Sequence, residues 1–125
     1  MFALTAQQKY YLYNEPTDMR KSFNGLSGLV RNEMEEDPLS GEVFIFINRR
    51  RNKMKLLVWE DSGFVLYYKQ LQQGTFELPT SNSQTSPPSC TISWRDLVLI
   101  LQGVVLSSIK EKKRFSLTKK NKKWE

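Results

Sequence analysis

The side chains of this 125-residue chain that could perform acid–base or metal chemistry are almost all carboxylates. Histidine is absent, which excludes Ser-His-Asp and Cys-His relays and histidine-ligated zinc. The single cysteine, Cys90, excludes an intrachain disulfide and a cysteine-rich zinc site. The aspartates sit mainly in predicted turns and helix caps, where this residue commonly hydrogen-bonds the local backbone. We therefore expect that the protein is not an enzyme and that it holds no metal and no cofactor.

Basic residues form the second chemically informative set, and they are unevenly distributed. The chain has 19 Lys and Arg against 13 Asp and Glu, a net charge of +6. Residues 1–109 contain 11 basic and 11 acidic residues, whereas residues 110–125 contain eight basic residues and two acidic ones. Within the body, five cations fall between Arg49 and Lys55. Such clusters are typical of proteins that bind nucleic acid, although a solvated turn and a solubilising tail would also produce them.

The Arg-rich cluster is predicted to lie at the tip of a β-hairpin. If the strands flanking Asn48–Asn52 pair, three arginines crown the turn, and Lys53 and Lys55 share one face of the returning strand. A two-stranded ribbon fits the major groove of B-DNA, and arginine pairs bidentately with guanine or phosphate. Tyr67 and Tyr68 lie on opposite faces of the next strand, where one could be exposed for base stacking or both could pack. We therefore predict DNA as a partner, bound by Arg20, Lys21, Arg31, Arg49, Arg50, Arg51, Lys53, Lys55, Lys112, Lys113 and Arg114.

Helical periodicity dominates the segment that precedes this hairpin. It predicts a helix from a cap at Thr17 or Asp18 to about Met34, with an apolar face running from Met19 to Val30. A polar stripe on the other side of this helix would either contact phosphates or form an ordinary solvated face. The stripe consists of Arg20, Asn24, Ser27 and Arg31.

The strand-like segments predict an antiparallel meander. Lys9–Asn14 is tyrosine-rich and is followed by a proline, which suits an edge strand. Val43–Ile47 is apolar throughout and reads as a central strand covered on both faces. Lys53–Glu60 and Phe64–Leu71 form a hairpin around a short polar turn. Thr75–Leu78 is predicted as a last short strand.

The C-terminal third is predicted to contain a loop, a helix and a tail. Residues 80–90 are polar with two consecutive prolines and form a loop, after which Ser93 caps a helix. Residues 110–125 are expected to be a disordered basic tail. The predicted fold is therefore one α+β domain over residues 1–109, a small antiparallel β-meander packed with an N-terminal-side helix and a C-terminal-side helix.

The sequence also indicates a cellular location. The N-terminus lacks a basic start followed by a long apolar run, so we expect no secretory signal. The longest apolar stretch, Leu97–Leu106, is about half of the roughly 20 residues that span a bilayer, so no membrane association is expected. A single cysteine suits a reducing compartment. We therefore expect a cytoplasmic protein.

Three motifs in this order resemble a known family. They are Y-x-x-P-T-D-M-R-K-S-F-x-G-L from Tyr13, G-x-V-F-I-F-I-N-R-R-R-N-K from Gly41 and G-T-F-E-L-P from Gly74. Together they resemble the small accessory protein of the insertion-sequence sixty-six family of bacterial transposons, called TnpB or Orf2-like protein. The resemblance implies a role in transposition beside a separate, large transposase that carries the catalytic acids. It implies no catalytic residue in this chain.

Two functions follow as alternatives. The first is an accessory protein that binds DNA at the transposon ends and assists the transposase of the same element. The second is a protein-interaction adaptor for the transposase that does not contact DNA. Its contact surface would be the side of the first helix that carries Gly25 and Gly28, or the tyrosine-rich strand. An enzyme ranks third, because it would need two or more of Asp18, Asp37 and Asp61 around one metal ion.

Overall fold

A mixed five-stranded sheet organises the part of the chain that the computed structural model describes, which comprises residues 4–78, 88–105 and 110–111. The strands are β1 (Tyr10–Tyr13), β2 (Val43–Ile47), β3 (Lys53–Glu60), β4 (Gly63–Gln70) and β5 (Ser89–Ile92). Their order across the sheet is β4-β3-β2-β1-β5. β1 and β2 run parallel, and the other neighbouring strands run antiparallel.

Two helices and a short strand pair complete the described structure. They are α1 (Phe23–Asn32), α2 (Trp94–Gln102), β6 (Val104–Val105) and β7 (Lys110–Glu111). The predicted α+β class is confirmed, and β2-β3-β4 is the predicted antiparallel meander. β7 contains the first two residues of the predicted tail, while residues 112–125 and most of the predicted 80–90 loop lie outside the described residues.

Both faces of the sheet are buried, one under each helix. All five residues of β2 are buried, as predicted for a central strand covered on both faces. Ile45 belongs to a cluster that includes Leu97 of α2, whereas Phe44 belongs to a cluster that includes Leu26 of α1. Fully burying a side chain of this size contributes about 1.5–3 kcal/mol, so the two helices fix the sheet between them.

β1 is an interior strand, so the predicted edge position of Lys9–Asn14 is wrong. β2 pairs with one side of β1 and β5 with the other, and Tyr10 and Leu12 are buried. The second partner was missed because β5 has only four residues, two of them polar, directly after the proline-rich loop.

The predicted strand at Thr75–Leu78 is also wrong. This segment is irregular and is anchored by Phe76, whose ring is buried in the core. The backbone N–H of Phe76 donates to the carbonyl oxygen of Arg51 at 2.7 Å. Phe76 is therefore buried because it anchors this segment to the β2–β3 connection, and not because the segment pairs as a strand of the sheet.

The first helix begins at Phe23, so the predicted cap at Thr17 or Asp18 is wrong. Asp18 Oδ1 accepts the backbone N–H of Arg20 at 2.9 Å, and the Asp18 carbonyl accepts that of Lys21 at 3.1 Å. Local bonds of this kind offer the backbone an alternative to helix. The aspartate therefore closes a turn ahead of the helix.

The faces of α1 differ in part from the prediction. Leu26 and Val30 are buried as predicted, but Phe23 is 42% exposed. Ser27 is buried, and its Oγ lies 3.2 Å from the carbonyl oxygen of Asn24, to which it donates. The predicted polar stripe is therefore interrupted, and it is not a continuous surface.

Helix α2 begins and packs as predicted. Ser93 Oγ accepts the backbone N–H of Asp96 at 3.0 Å, which caps the helix. Leu97 and Ile100 are buried against the sheet. Gly103 ends the helix in the left-handed conformation, with φ of +87°.

Candidate functional site

The connection between β2 and β3, here called the Arg turn (residues 48–52), presents three consecutive arginines on a hydrogen-bonded scaffold. β2 and β3 pair antiparallel, which confirms the predicted hairpin. Asn48 organises the turn: its Oδ1 accepts the backbone N–H groups of Asn52 at 3.0 Å and Lys53 at 2.9 Å. Its Nδ2 donates to Asn52 Oδ1 at 2.7 Å. The side chain of Asn48 thus ties the start of the turn to its end.

The Arg turn is also bonded to the segment that follows β4. The carbonyl of Arg51 accepts the N–H of Phe76 at 2.7 Å, and the carbonyl of Asn52 accepts the N–H of Leu71 at 2.8 Å. Arg51 has a φ of +60°, a left-handed conformation that costs a residue with a side chain about 1–2 kcal/mol. The surrounding bonds hold this conformation in place.

A second loop, here called the 16–20 loop (residues 16–20), lies beside the Arg turn. The backbone N–H of buried Thr17 donates to the carbonyl of Ile47, the last residue of β2, at 2.9 Å. Within the loop, Arg20 Nη2 lies 2.7 Å from Asp18 Oδ2, and Arg20 Nε donates to the same carboxylate. This guanidinium lowers the pKa of Asp18 to about 2, so the carboxylate stays ionised.

Lys55 fastens the 16–20 loop to the sheet. Its side chain is 6% exposed, and its Nζ donates to the carbonyl oxygens of Met19 at 2.8 Å and Lys21 at 2.7 Å. The same ammonium lies 4.7 Å from the ring centroid of Tyr68. Burial lowers the pKa of Lys55, and the charge of Asp18 opposes that shift. Lys55, a member of the predicted DNA-binding set, thus directs its ammonium to backbone carbonyls of the fold and does not line the open cleft between this loop and the Arg turn.

An open cleft of about 830 Å³, here called the cationic cleft, separates the 16–20 loop from the Arg turn. The end of β4 forms a third wall. Four cationic side chains and one carboxylate line it, and the carboxylate is paired with Arg20. Such a surface attracts anions, phosphates in particular. The lining residues are Pro16, Thr17, Asp18, Met19, Arg20, Asn48, Arg49, Arg50, Asn52, Lys53, Tyr68 and Gln70.

Two residues of β4 give the cationic cleft an aromatic and an amide group. Tyr68 is 51% exposed and pairs across strands with Lys55, and Gln70 is exposed and pairs with Lys53. Tyr67 is half-buried and packs against the core on the α2 side. Of the two tyrosines predicted either to stack on a base or to pack, Tyr68 is the exposed one.

The structure brings together part of the predicted DNA-binding set. Lys21 and Arg51 are exposed next to the cleft without lining it, and Arg31 is exposed on α1. The members that line the cleft are Arg20, Arg49, Arg50 and Lys53. The members that lie outside the described residues are Lys112, Lys113 and Arg114.

Sequence reasoning missed Asn48, Asn52 and Gln70 as parts of the site. Asparagines at both ends of an arginine run were a usable signal, because asparagine side chains commonly bond the backbone of a turn. Gln70 had no such signal. Its place in the cleft depends on the register that sets it opposite Lys53.

The two surfaces predicted for a protein-interaction adaptor differ in their accessibility. Tyr11 of β1 stacks on Phe44 at 5.4 Å between ring centroids, and β1 is paired on both sides, so this strand offers no free edge. A Cβ on Gly25 would lie 3.2 Å from the Cβ of Lys21. A Cβ on Gly28 would meet nothing within 4 Å, so this side of α1 is open.

Within residues 4–78, 88–105 and 110–111, no three acidic or cysteine side chains come close enough together to hold a metal ion. No helix formed by the same residues has both the length and the apolar character needed to cross a bilayer.

The mixed sheet between two helices and the cationic cleft at one end of its central hairpin define a small α+β protein with a cluster of basic residues in an open cleft. The chain belongs to the IS66 Orf2-like protein family, whose model matches residues 8–111. The resemblance seen in the three motifs is thereby confirmed. Membership makes this a transposition-associated accessory protein of an insertion sequence.

Two proteins of Sinorhizobium fredii (strain NBRC 101917 / NGR234) are similar to this chain. Uncharacterized protein y4jC is 35% identical over 65 residues, which are 52% of this chain and 56% of that protein. Uncharacterized protein y4hO is 30% identical over 88 residues, which are 70% of this chain and 73% of that protein. The match to y4jC thus spans little more than half of its length. No solved structure matches the chain.

Proposed function

We propose that this chain is a non-catalytic accessory protein that binds DNA at the ends of its transposon through the cationic cleft and assists the transposase of the same element. The observation that carries the proposal is the convergence of Arg49, Arg50 and Lys53 on one cleft. Family membership supplies the setting in transposition.

Charge distribution supports phosphate binding at this place. Arg20 is paired with Asp18, whereas Arg49, Arg50 and Lys53 have no carboxylate partner among the described residues. Cations that lack an internal partner are available for phosphates, and each phosphate that they neutralise releases counterions from DNA.

The rigidity of the Arg turn also supports binding. Asn48 bonds the turn internally, and the backbone N–H groups of Leu71 and Phe76 bond it from outside. A surface that is already ordered loses little conformational entropy when it binds a ligand. The backbone that carries Arg49 and Arg50 therefore needs no reordering.

Fluorescence anisotropy with labelled element-end DNA and scrambled DNA, measured over a salt series, tests the proposal. Changing Arg49→Gln and Arg50→Gln together should reduce the slope of log K against log salt by about 2, because each phosphate contact contributes about 0.9. Arg95→Gln is the matched control, since Arg95 is exposed on α2, which packs on the other face of the sheet. Absence of binding at low salt would overturn the proposal, and so would an equal effect of Arg95→Gln.

The absence of catalysis and the assistance to the transposase need separate tests. Purified protein incubated with element-end DNA and Mg²⁺ or Mn²⁺ should leave the DNA intact, and a specific nick would contradict a non-catalytic role. In a pull-down with the transposase, association should depend on added element-end DNA. Association that persists fully after nuclease treatment, in a protein that binds no DNA, would establish the adaptor alternative instead.

A further inference from the structure

The ring of Tyr68 is exposed to solvent and is also in contact with a buried cation. The ammonium of buried Lys55 lies 4.7 Å from the ring centroid, so one face of the ring is covered by a fixed cation. Tyr68 is nevertheless 51% exposed and lines the cationic cleft. The exposed surface therefore belongs to the opposite face and the edge of the ring. The contact with Lys55 fixes the orientation of the ring.

The groups around this ring suit the parts of a nucleotide. Lys53 lies opposite Gln70, one cross-strand pair away from Lys55 and Tyr68 on the same face of the sheet. Lys53 and the arginines of the Arg turn supply cations for phosphates. Gln70 lies two residues from Tyr68, a separation of about 7 Å along the strand. An exposed glutamine amide can donate to and accept from the edge of a base. Phosphate, base face and base edge would thus each meet an appropriate side chain.

An intact duplex cannot use the Tyr68 ring. In B-form DNA both faces of each internal base are covered by neighbouring bases, so a protein ring can stack only on a base that is unpaired or splayed out. The phosphates of a duplex could still contact the Arg turn. Tyr68 would then contribute nothing to affinity.

We propose that the cationic cleft binds an unpaired nucleotide of DNA, with its base stacked on Tyr68 and its flanking phosphates on the Arg turn. This inference rests on the proposed DNA-binding function and names the substrate class of the same cleft as single-stranded or frayed DNA. Lys55 is a positioning residue, since it contacts the ring and not the ligand. Stacking on an aromatic side chain is tolerant of base identity, so sequence preference would be modest.

Binding of three probes by four proteins tests the inference. The probes are a single strand, the blunt duplex of the same sequence, and that duplex with a single-stranded overhang carrying 2-aminopurine. The proteins are wild type, Tyr68→Leu, Tyr68→Phe and the control Trp94→Leu, which removes an aromatic residue that is 39% exposed on α2. Tyr68→Leu should weaken single-strand and overhang binding about tenfold, within the roughly 5- to 150-fold range of a lost base stack. Tyr68→Phe and Trp94→Leu should bind like wild type.

The duplex probe and the fluorescent base separate the possible failures. Binding of wild type to the overhang should shift the 2-aminopurine emission, a readout that does not depend on how any variant folds. If the duplex binds as tightly as the single strand and Tyr68→Leu affects neither, the stacking inference is overturned while the proposed DNA-binding function stands. If no probe binds at low salt, the proposed function fails and the inference fails with it.

Discussion

The β2–β3–β4 meander contains two turns that are built in opposite ways. The second, here called the Asp turn, consists of Asp61 and Ser62, with φ of +50° and +70°. Two positive φ values are typical of the type I′ turn that matches the twist of a hairpin, and the ladder closes at once with Glu60 opposite Gly63. The Arg turn uses five residues and combines two local backbone bonds with side-chain bonds from Asn48 and backbone bonds from residues 71 and 76.

The difference separates a turn that connects strands from a turn that presents side chains. A two-residue turn is completed by its own ladder and needs nothing from elsewhere in the fold. The five-residue Arg turn is closed by two local backbone bonds, from the N–H of Arg51 to the Asn48 carbonyl and from the N–H of Asn48 to the Lys53 carbonyl. It is held in addition by bonds from residues 71 and 76, so its three arginines project from fixed backbone positions. Substitutions in the Arg turn should therefore change both stability and binding, whereas substitutions in the Asp turn should change stability alone.

The largest effect is expected from Asn48→Ala. The change removes three hydrogen bonds and leaves half-buried backbone donors without partners, so the free energy of unfolding should fall by about 2–3 kcal/mol. Thermal unfolding followed by circular dichroism should show a Tm lower by roughly 10 °C, and DNA affinity should fall with it. Asn32→Ala, at the exposed end of α1, is the control and should not lower the Tm. An Asn48→Ala protein as stable as wild type would show that backbone hydrogen bonds are enough to hold the Arg turn.

The next effect concerns the two lysines that share one face of β3. Lys55→Met should lower the free energy of unfolding by about 2 kcal/mol, because the carbonyls of Met19 and Lys21 lose their donor. Lys53→Met removes the same charge from a half-exposed position and should leave stability nearly unchanged while weakening DNA binding. Urea unfolding and anisotropy of both variants test this. Equal stability losses would mean that Lys55 does not fasten the 16–20 loop.

A smaller effect compares the two turns directly. Arg51→Gly and Ser62→Gly each relieve a left-handed conformation, and each should raise the free energy of unfolding by about 0.5 kcal/mol after the added flexibility of the unfolded chain is subtracted. Only Arg51→Gly should weaken DNA binding, because it alone removes a cation beside the cleft. Loss of affinity in Ser62→Gly would contradict the division between a connecting turn and a presenting turn.

The Asp turn was predictable from sequence and most of the Arg turn was not, for a physical reason. Asp61-Ser62-Gly63 between two strand-like runs predicts a tight hairpin from local residues alone. The hairpin that carries the arginines was predicted in the same way. Its hydrogen bonds to residues 71 and 76 and its proximity to Thr17 depend on tertiary packing, which leaves no local pattern.

The candidate site shows the same limit. The cations that line the cleft were all in the predicted set, because clusters of charge are visible in a sequence. The burial of Lys55 could not be predicted, because burial of a lysine depends on distant carbonyls, here those of Met19 and Lys21. The start of α1 was misplaced for a related reason, since the same lysine and the Asp18 turn keep residues 18–21 out of the helix.

The smallest effect concerns the ion pair between Asp18 and Arg20, which borders the Arg turn. Arg20 lowers the pKa of Asp18 from an ordinary 3.8 to about 2. Because the folded pKa is the lower one, any stabilisation by this pair is complete above pH 3.8 and is lost as the pH falls through about 2. Arg20→Gln should raise the Asp18 midpoint in an NMR carboxyl titration toward 3.8, while Arg31→Gln, an exposed arginine on α1, should leave it in place.

A wild-type midpoint of 3.8 would show that the guanidinium does not engage the carboxylate in solution. Arg20 would then be a fourth cation available for phosphates. Arg20→Gln would in that case reduce the slope of log K against log salt by about 0.9, as much as Arg50→Gln. A midpoint near 2, together with an unchanged salt dependence of DNA binding in Arg20→Gln, would show that Arg20 stabilises the 16–20 loop and does not bind phosphate. The three cations of the cleft that have no carboxylate partner among the described residues, Arg49, Arg50 and Lys53, would then account for the binding.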